Sequence, residues 1–357
     1  MARDTLPENH NSIDLFKFLF SFVVVAIHTH PLPDQLYNTI LGKIYDVVLQ
    51  MAVPFFFIAS GFFLGKKLTV QKSAVDVAHD RLALKKNLSN TIKLYLIWMA
   101  IYTPLAIIHY IEIDSSLLRS LFLYLRGVFL VGEQHNNWIL WYLLSTIYAV
   151  LTMLALTKIK WDRKALILLS VSASCVFALC QYWGYYPGQV NGVFSLIIKA
   201  IKYVFSYGRI FNGMIYIPIG ILLSNDIRIF PRPLLWGMFL CGFVGNFLNE
   251  NKSLDVAFLV LSSIGLFGII CKLRIYGNTE VFRALRSMSK TVYFMHLYVW
   301  TGYYTVMYGK KSYGIDCFLA VSGITAAIAY IVYVLKYALQ NRDKEPTDAA
   351  SPRNNTK

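Results

Sequence analysis

Charge is scarce in this sequence. Only 15% of its 357 residues are Asp, Glu, Lys or Arg, while 57% are hydrophobic. A soluble two-domain enzyme of this length would need a more polar surface, so that class fits poorly. Cysteine is also sparse. Cys175, Cys180, Cys241, Cys271 and Cys317 lie in or beside apolar stretches with no CxxC pair, which argues against a disulfide framework and a zinc site. They read as small buried apolar residues, and no metal is expected. A GxSxG elbow, a Walker A loop, a GxGxxG following a strand and an HExxH pair are all missing. Serine hydrolase, NTPase and zinc-protease readings lose their support. No internal repeat is evident, nor a matched pair of broken helices of the kind found in inverted-repeat transporters.

Long apolar runs are abundant. Segments able to cross about 30 Å of hydrocarbon at about 1.5 Å per residue fall near 13–30, 44–64, 94–111, 138–157, 165–183, 208–224, 234–248, 254–272, 290–307 and 315–336. The expected fold is therefore all-α, a polytopic membrane bundle of about ten transmembrane helices whose main partner is the lipid bilayer. Tyr and Trp recur at the ends of these runs, where amphipathic rings sit at headgroup level. Segments 117–131 and 193–206 are shorter and carry Arg119, Arg126, Lys199 and Lys202, so they read as interfacial or re-entrant helices. The expected domains are a cytoplasmic tail over 1–12, a membrane domain over 13–336 and a disordered cytoplasmic tail over 337–357, with no second soluble domain. The first apolar run lacks a small-residue cleavage site and is expected to be retained.

The net charge of +15 raises the question of nucleic acid, and the placement of the cations answers it. With both termini cytoplasmic, 24 of the 34 Lys and Arg face the cytoplasm; nine lie on the other side and Lys17 sits inside the first helix. That asymmetry follows the positive-inside rule. The cations are spread over loops facing one leaflet, which suits anionic lipid and excludes a nucleic-acid partner.

Ionisable groups within the spans are the candidates for chemistry. Lys17 and His28 are eleven residues apart, close to three turns, so they share a helix face about 16 Å apart along the axis. Asp14 can pair with Lys17 at i, i+3. From spacing alone, Asp14 and Lys17 can equally be an interface pair and His28 a helix-end histidine. A neutral imidazole at that depth can also act as a general base towards a hydroxyl. His30, followed by Pro31 and Pro33, reads as the helix exit. In "VPFFFIASGFFLGKK" (53–67) the small residues Ala59, Ser60 and Gly61 allow close helix approach or make room for a thin substrate arm. Trp138, Trp141 and Tyr142 in "NNWILWYLL" read first as interface residues. Arg209 and Asn212 in "YGRIFNGMIYIPIG" suggest a snorkelling cation or an anion clamp. His296 in "TVYFMHLYVW" is either a packing hydrogen-bond donor or part of a site.

Together, "IDLFKFLFSFVVVAIHTH", "VPFFFIASGFFLGKK", "LKKNLSNTIKLYLIWMAIY", "WILWYLL", "GRIFNGMIYIPIGILL" and "MSKTVYFMHLYVW" resemble the acyltransferase type 3 family of bacterial integral-membrane proteins, over about residues 12–336. The chain is also similar to the membrane portion of membrane-bound serine racemases. The resemblance implies transfer of an acyl group, usually acetyl, from cytoplasmic acyl-CoA to a hydroxyl of an extracytoplasmic glycan or other cell-envelope acceptor, in the bacterial inner membrane. It implies His28 as the catalytic residue and Lys17 at the family's basic position, where Arg is usual and a planar bidentate fork is lost with Lys. The family's two arginines entering the third helix are here Asn90 and Lys93. Lys85, Lys86 and Lys93 would meet the CoA phosphates, Ser60 would flank its arm, and Tyr142, Arg209, Asn212 and His296 would contact the acceptor. The alternative is a transporter, flippase or ligand-sensing membrane protein.

Overall fold

The computed structural model describes residues 10–70, 74–185, 192–193, 195–197, 199–200, 206–308 and 313–342. The rest of the expected tails (1–9 and 343–357) and Lys202, with much of segment 193–206, lie outside these residues. Among the described residues there is no strand, only an isolated bridge between Gln134 and Asn137. The helices are α1 (Asn11–Thr29), α2 (Asp34–Tyr37), α3 (Ile40–Gly65), α4 (Ala74–Glu112), α5 (Leu117–Arg126), α6 (Trp141–Ile159), α7 (Arg163–Tyr185), α8 (Asn212–Asp226), α9 (Arg232–Leu248), α10 (Lys252–Lys272), α11 (Thr279–Tyr303) and α12 (Ile315–Arg342).

Seven of these, α1, α3, α4, α6, α7, α10 and α12, are long and apolar enough to cross a membrane. The other three of the ten expected spans fall on shorter or more polar helices. α8 has 15 residues and α9 has 17, and α11 carries Arg283, Arg286 and Lys290 within its 25 residues. Large apolar side chains are exposed along α4, α7, α9 and α12, such as Leu96, Ile97, Leu168, Leu240 and Leu335. Water would penalise such a surface, whereas lipid does not. The chain is an all-α, multi-pass membrane protein.

Several boundaries differ from the hydropathy reading. α4 has 39 residues and spans roughly 58 Å at 1.5 Å per residue. Its first twenty residues are too polar for a span, but contain no Gly or Pro, so helix propensity carries the structure on past the membrane. Buried Asp80 fastens this extension, accepting from the backbone N–H groups of Thr69 and Val70 and from Trp161 Nε1, each at 2.8 Å. α12 likewise runs to Arg342, past the expected end at 336. Segment 117–131 folds as the ten-residue α5 followed by a π-helical turn, Gly127–Val131.

α1 packs against α3, α11 and α12, and α3 runs along α8, which α6 and α7 flank. α9 and α10 form a hairpin whose second helix touches α3 and α7. The α3–α8 crossing depends on glycine: a Cβ on Gly61 would collide with the carbonyl of Ile217, and one on Gly220 with that of Ile58. Close backbone approach is what small residues at membrane helix crossings allow.

Candidate active site

α1 ends where His30 turns left-handed at φ 42° and returns its N–H to the carbonyl of Ala26 at 3.0 Å. The His30 ring packs edge-on against Tyr313, 4.9 Å away. His28, two residues earlier, points elsewhere. Its ring lies 5.3 Å from that of His296 on α11 and stacks on Trp138 at 6.0 Å. Trp138 in turn meets Trp300 edge-on at 5.6 Å.

His296 is fully buried. Its Nδ1 donates to the carbonyl of Tyr293 at 2.7 Å, with Val292 at 3.2 Å, which assigns the proton to Nδ1 and leaves Nε2 as an acceptor. That Nε2 is buried and has no hydrogen-bond partner. Two tyrosines hold α11 in place. Tyr102 donates from α4 to the carbonyl of Phe294 at 2.8 Å, and Tyr293 donates to the carbonyl of Ile139 at 3.3 Å.

A cavity of about 690 Å³ opens over His28. Its polar lining is Gln50, Glu133, Gln181, Arg209 and Asn212, and Trp138, Trp141 and Tyr293 supply aromatic surface. A site of this size with aromatic walls and a few convergent polar groups suits a small polar ligand. Arg209 lies on a 3₁₀ turn, Ser206–Phe211, that leads into α8. Ser145 of α6 fixes this turn, donating to the carbonyl of Ile210 and accepting from the N–H of Gly213, both at 2.7 Å. Asn212 Nδ2 donates to the carbonyl of Arg209 at 2.9 Å. The Arg209 guanidinium is ion-paired to Glu133. Burial pushes the Glu133 carboxyl up from its ordinary value, and Arg209 pulls it back.

The loop carrying Glu133 and Trp138 is tied down next to the site. Gly132 is left-handed at φ 74° and lies against the backbone of Trp141. Gln134 donates to the carbonyl of Tyr124 at 2.8 Å and accepts from Tyr110 at 3.2 Å. His135 stacks on His109 at 3.7 Å. Burial and the neighbouring imidazole hold His135 below the ordinary 6.5.

Of the sequence-selected residues, His28, Arg209 and Asn212 line the cavity, and His296 lies against His28. Ser60 and Tyr142 are hydrogen-bonded to each other at 2.7 Å, with Tyr142 packed on Tyr293 at 5.7 Å. Lys17 lies about three turns further down α1, its ammonium 4.3 Å from the Phe63 ring centroid. The Asp14 carboxylate lies 3.6 Å from Arg286 of α11, and that is the ion pair it makes here, not the expected one with Lys17. Lys85, Lys86 and Lys93 are exposed along α4 and line no part of the cavity. Glu133, Gln50 and Gln181 were not selected from sequence. A lone carboxylate in the short "VGEQHNNW" loop was the available signal for Glu133.

A protein-family model described as an acyltransferase domain matches residues 10–335. Two curated proteins named amino-acid racemase, both from Enterococcus faecalis, are similar to the chain. One is 28% identical over 233 residues, covering 64% of this chain and 29% of the relative. The other is 25% identical over 300 residues, covering 80% of this chain and 40% of the relative. The chain thus spans less than half the length of either relative. No solved structure matches it.

Proposed function

The chain belongs to the acyltransferase type 3 family, and from that premise we propose that it moves an acyl group, acetyl in the first instance, from cytoplasmic acyl-CoA to a hydroxyl of an extracytoplasmic glycan or related cell-envelope acceptor. It works in the bacterial inner membrane with both termini cytoplasmic. The observation that carries this reading is the buried pair of imidazoles, His28 and His296, under a polar cavity at the end of α1. His28 removes the acceptor's hydroxyl proton as that oxygen attacks the thioester carbon. The C–S bond breaks, the ester C–O bond forms, and the proton leaves with the departing thiolate. Trp138 and Trp141 offer flat apolar surface to a sugar ring, and Gln50, Arg209 and Asn212 offer hydrogen bonds to its hydroxyls. No step requires a metal.

The test is incorporation of radiolabelled acetyl from acetyl-CoA into envelope glycan by membranes containing the full chain. His28→Ala at equal membrane level is expected to fall to background. Full activity in that variant would overturn the assignment.

A second reading takes an amino acid as the ligand, handled by transport or sensing without turnover. The Arg209–Glu133 pair supports it, because the two charges are complementary to the carboxylate and ammonium of a zwitterion, and the similar proteins are named amino-acid racemases. Uptake of labelled amino acid into vesicles, with no CoA released from acetyl-CoA, is the result that would favour it.

A further inference from the structure

Resting on the acyl-CoA reading, we infer that the inner ends of α1 and α11 form the phosphate-binding site for the donor, a phosphorylated nucleotide carrier. Asp14 is only 5% exposed, and its Oδ2 is 3.6 Å from Arg286 Nε. Arg286 and Lys290 are four residues apart on one face of α11, and the charges of both, with that of Lys17, act on the Asp14 carboxylate. Lys336 of α12 acts in turn on Lys290. One carboxylate therefore faces three cations, Arg286, Lys290 and Lys17, as well as the His10 imidazole, and a fourth cation, Lys336, stands beside Lys290. Like charges brought this close repel unless an anion joins them, and phosphate accepts several such donors at once.

A second observation indicates what else the ligand carries. The other Asp14 oxygen, Oδ1, is buried without a hydrogen-bond donor. A buried acceptor of that kind is costly, and an N–H or O–H on the same ligand would satisfy it. A fully ionised phosphate group has no such donor, whereas the rest of a nucleotide carrier, with its ribose hydroxyl and base and amide N–H groups, has both kinds. The geometry also sets the reach. Lys17 and His28 are about 16 Å apart along α1; Phe63 lies at the Lys17 level, and Tyr293, packed on Tyr142 of the Ser60–Tyr142 pair, lines the cavity with His28. A carrier held by its phosphates at Lys17 and Arg286 must extend an arm of about that length to present its thioester to His28. Lys85, Lys86 and Lys93 of α4 are exposed.

The phosphate of an anionic lipid headgroup has the same chemistry, so the test separates the two sources. The full chain is placed in nanodiscs of zwitterionic lipid and titrated calorimetrically with adenosine 3′,5′-bisphosphate. Arg286→Gln and Lys290→Gln are each expected to weaken binding about tenfold, the value of one charge-assisted hydrogen bond, while Lys164→Gln leaves it unchanged. In turnover the same variants raise KM for acetyl-CoA but not for S-acetyl-N-acetylcysteamine, a thioester without phosphates. Bisphosphate binding without acyl transfer would leave this site standing and remove the functional reading. Absent bisphosphate binding, binding weakened by Lys85→Gln or Lys93→Gln in place of Arg286→Gln, or an Arg286→Gln effect seen only as lost retention of anionic lipid, would overturn the inference.

Discussion

His28 and His296 come from opposite ends of the chain and differ in what holds them. His296 has its Nδ1 proton committed to the backbone of its own helix, so its orientation is fixed and its Nε2 lone pair faces no protein donor. His28 makes ring contacts instead, which leave its nitrogens for substrate. His296→Phe keeps a flat ring in the same space but removes the acceptor. It is expected to lower kcat roughly a hundredfold, within the range of acid–base contributions, with little change in KM for the donor; a stopped assay over both substrates would measure the split. The three-turn spacing put His28 and Lys17 on one helix face but left His28 open as a helix-end histidine, and its proposed catalytic role came from the family resemblance. The sequence could not place Glu133, because a single carboxylate in the short "VGEQHNNW" loop has no periodicity, and its partner Arg209 is 76 positions away.

At the scale of the helix, the contrast is between α3 and α4. The small patch in "IASGFF" gave two readings, close approach and room for a substrate arm. Gly61 answers to the first, since α8 lies directly on it, while Ser60 turns to Tyr142. Gly61→Ala is expected to destabilise the protein by about 2 kcal/mol, a cost typical of overpacking, read as a lower melting temperature in detergent. α4 shows where hydropathy fails. Its membrane portion was legible, but its N-terminal extension is polar and is held by one buried carboxylate and a tryptophan 81 residues away. Long-range hydrogen bonds of this kind leave no trace in local composition.

For the molecule as a whole, the ten apolar segments, the aromatic ends and the uneven placement of cations made an all-α membrane bundle readable from the chain. The packing order of the helices was not readable, since lipid-facing and core-facing side chains are equally apolar here. Stability of the fold should depend on pH through the loop that carries His135 and leads into α6. His135 is held below its ordinary value, so the folded state binds its proton less well than the unfolded chain does. Its contribution is whole above about pH 6.5 and is lost as pH falls through the lower, folded value. Melting temperature should therefore drop on acidification below 6.5, and His135→Phe should flatten that slope in a thermal scan across pH.

The stacking of Trp138 on the His28 ring, with Trp300 edge-on behind it, bears on thrift in the cell. A thioester brought to a competent base is as vulnerable to water as to an alcohol, and every hydrolysed molecule is fuel spent without a product. On the proposed reaction, Trp138, stacked on the imidazole and braced by Trp300, would act as a roof against that leak. Trp138→Ala is expected to uncouple the protein, so that free CoA accumulates in the absence of any acceptor while ester formation falls, and a thiol-reactive dye reading CoA release against labelled ester would show the two diverge.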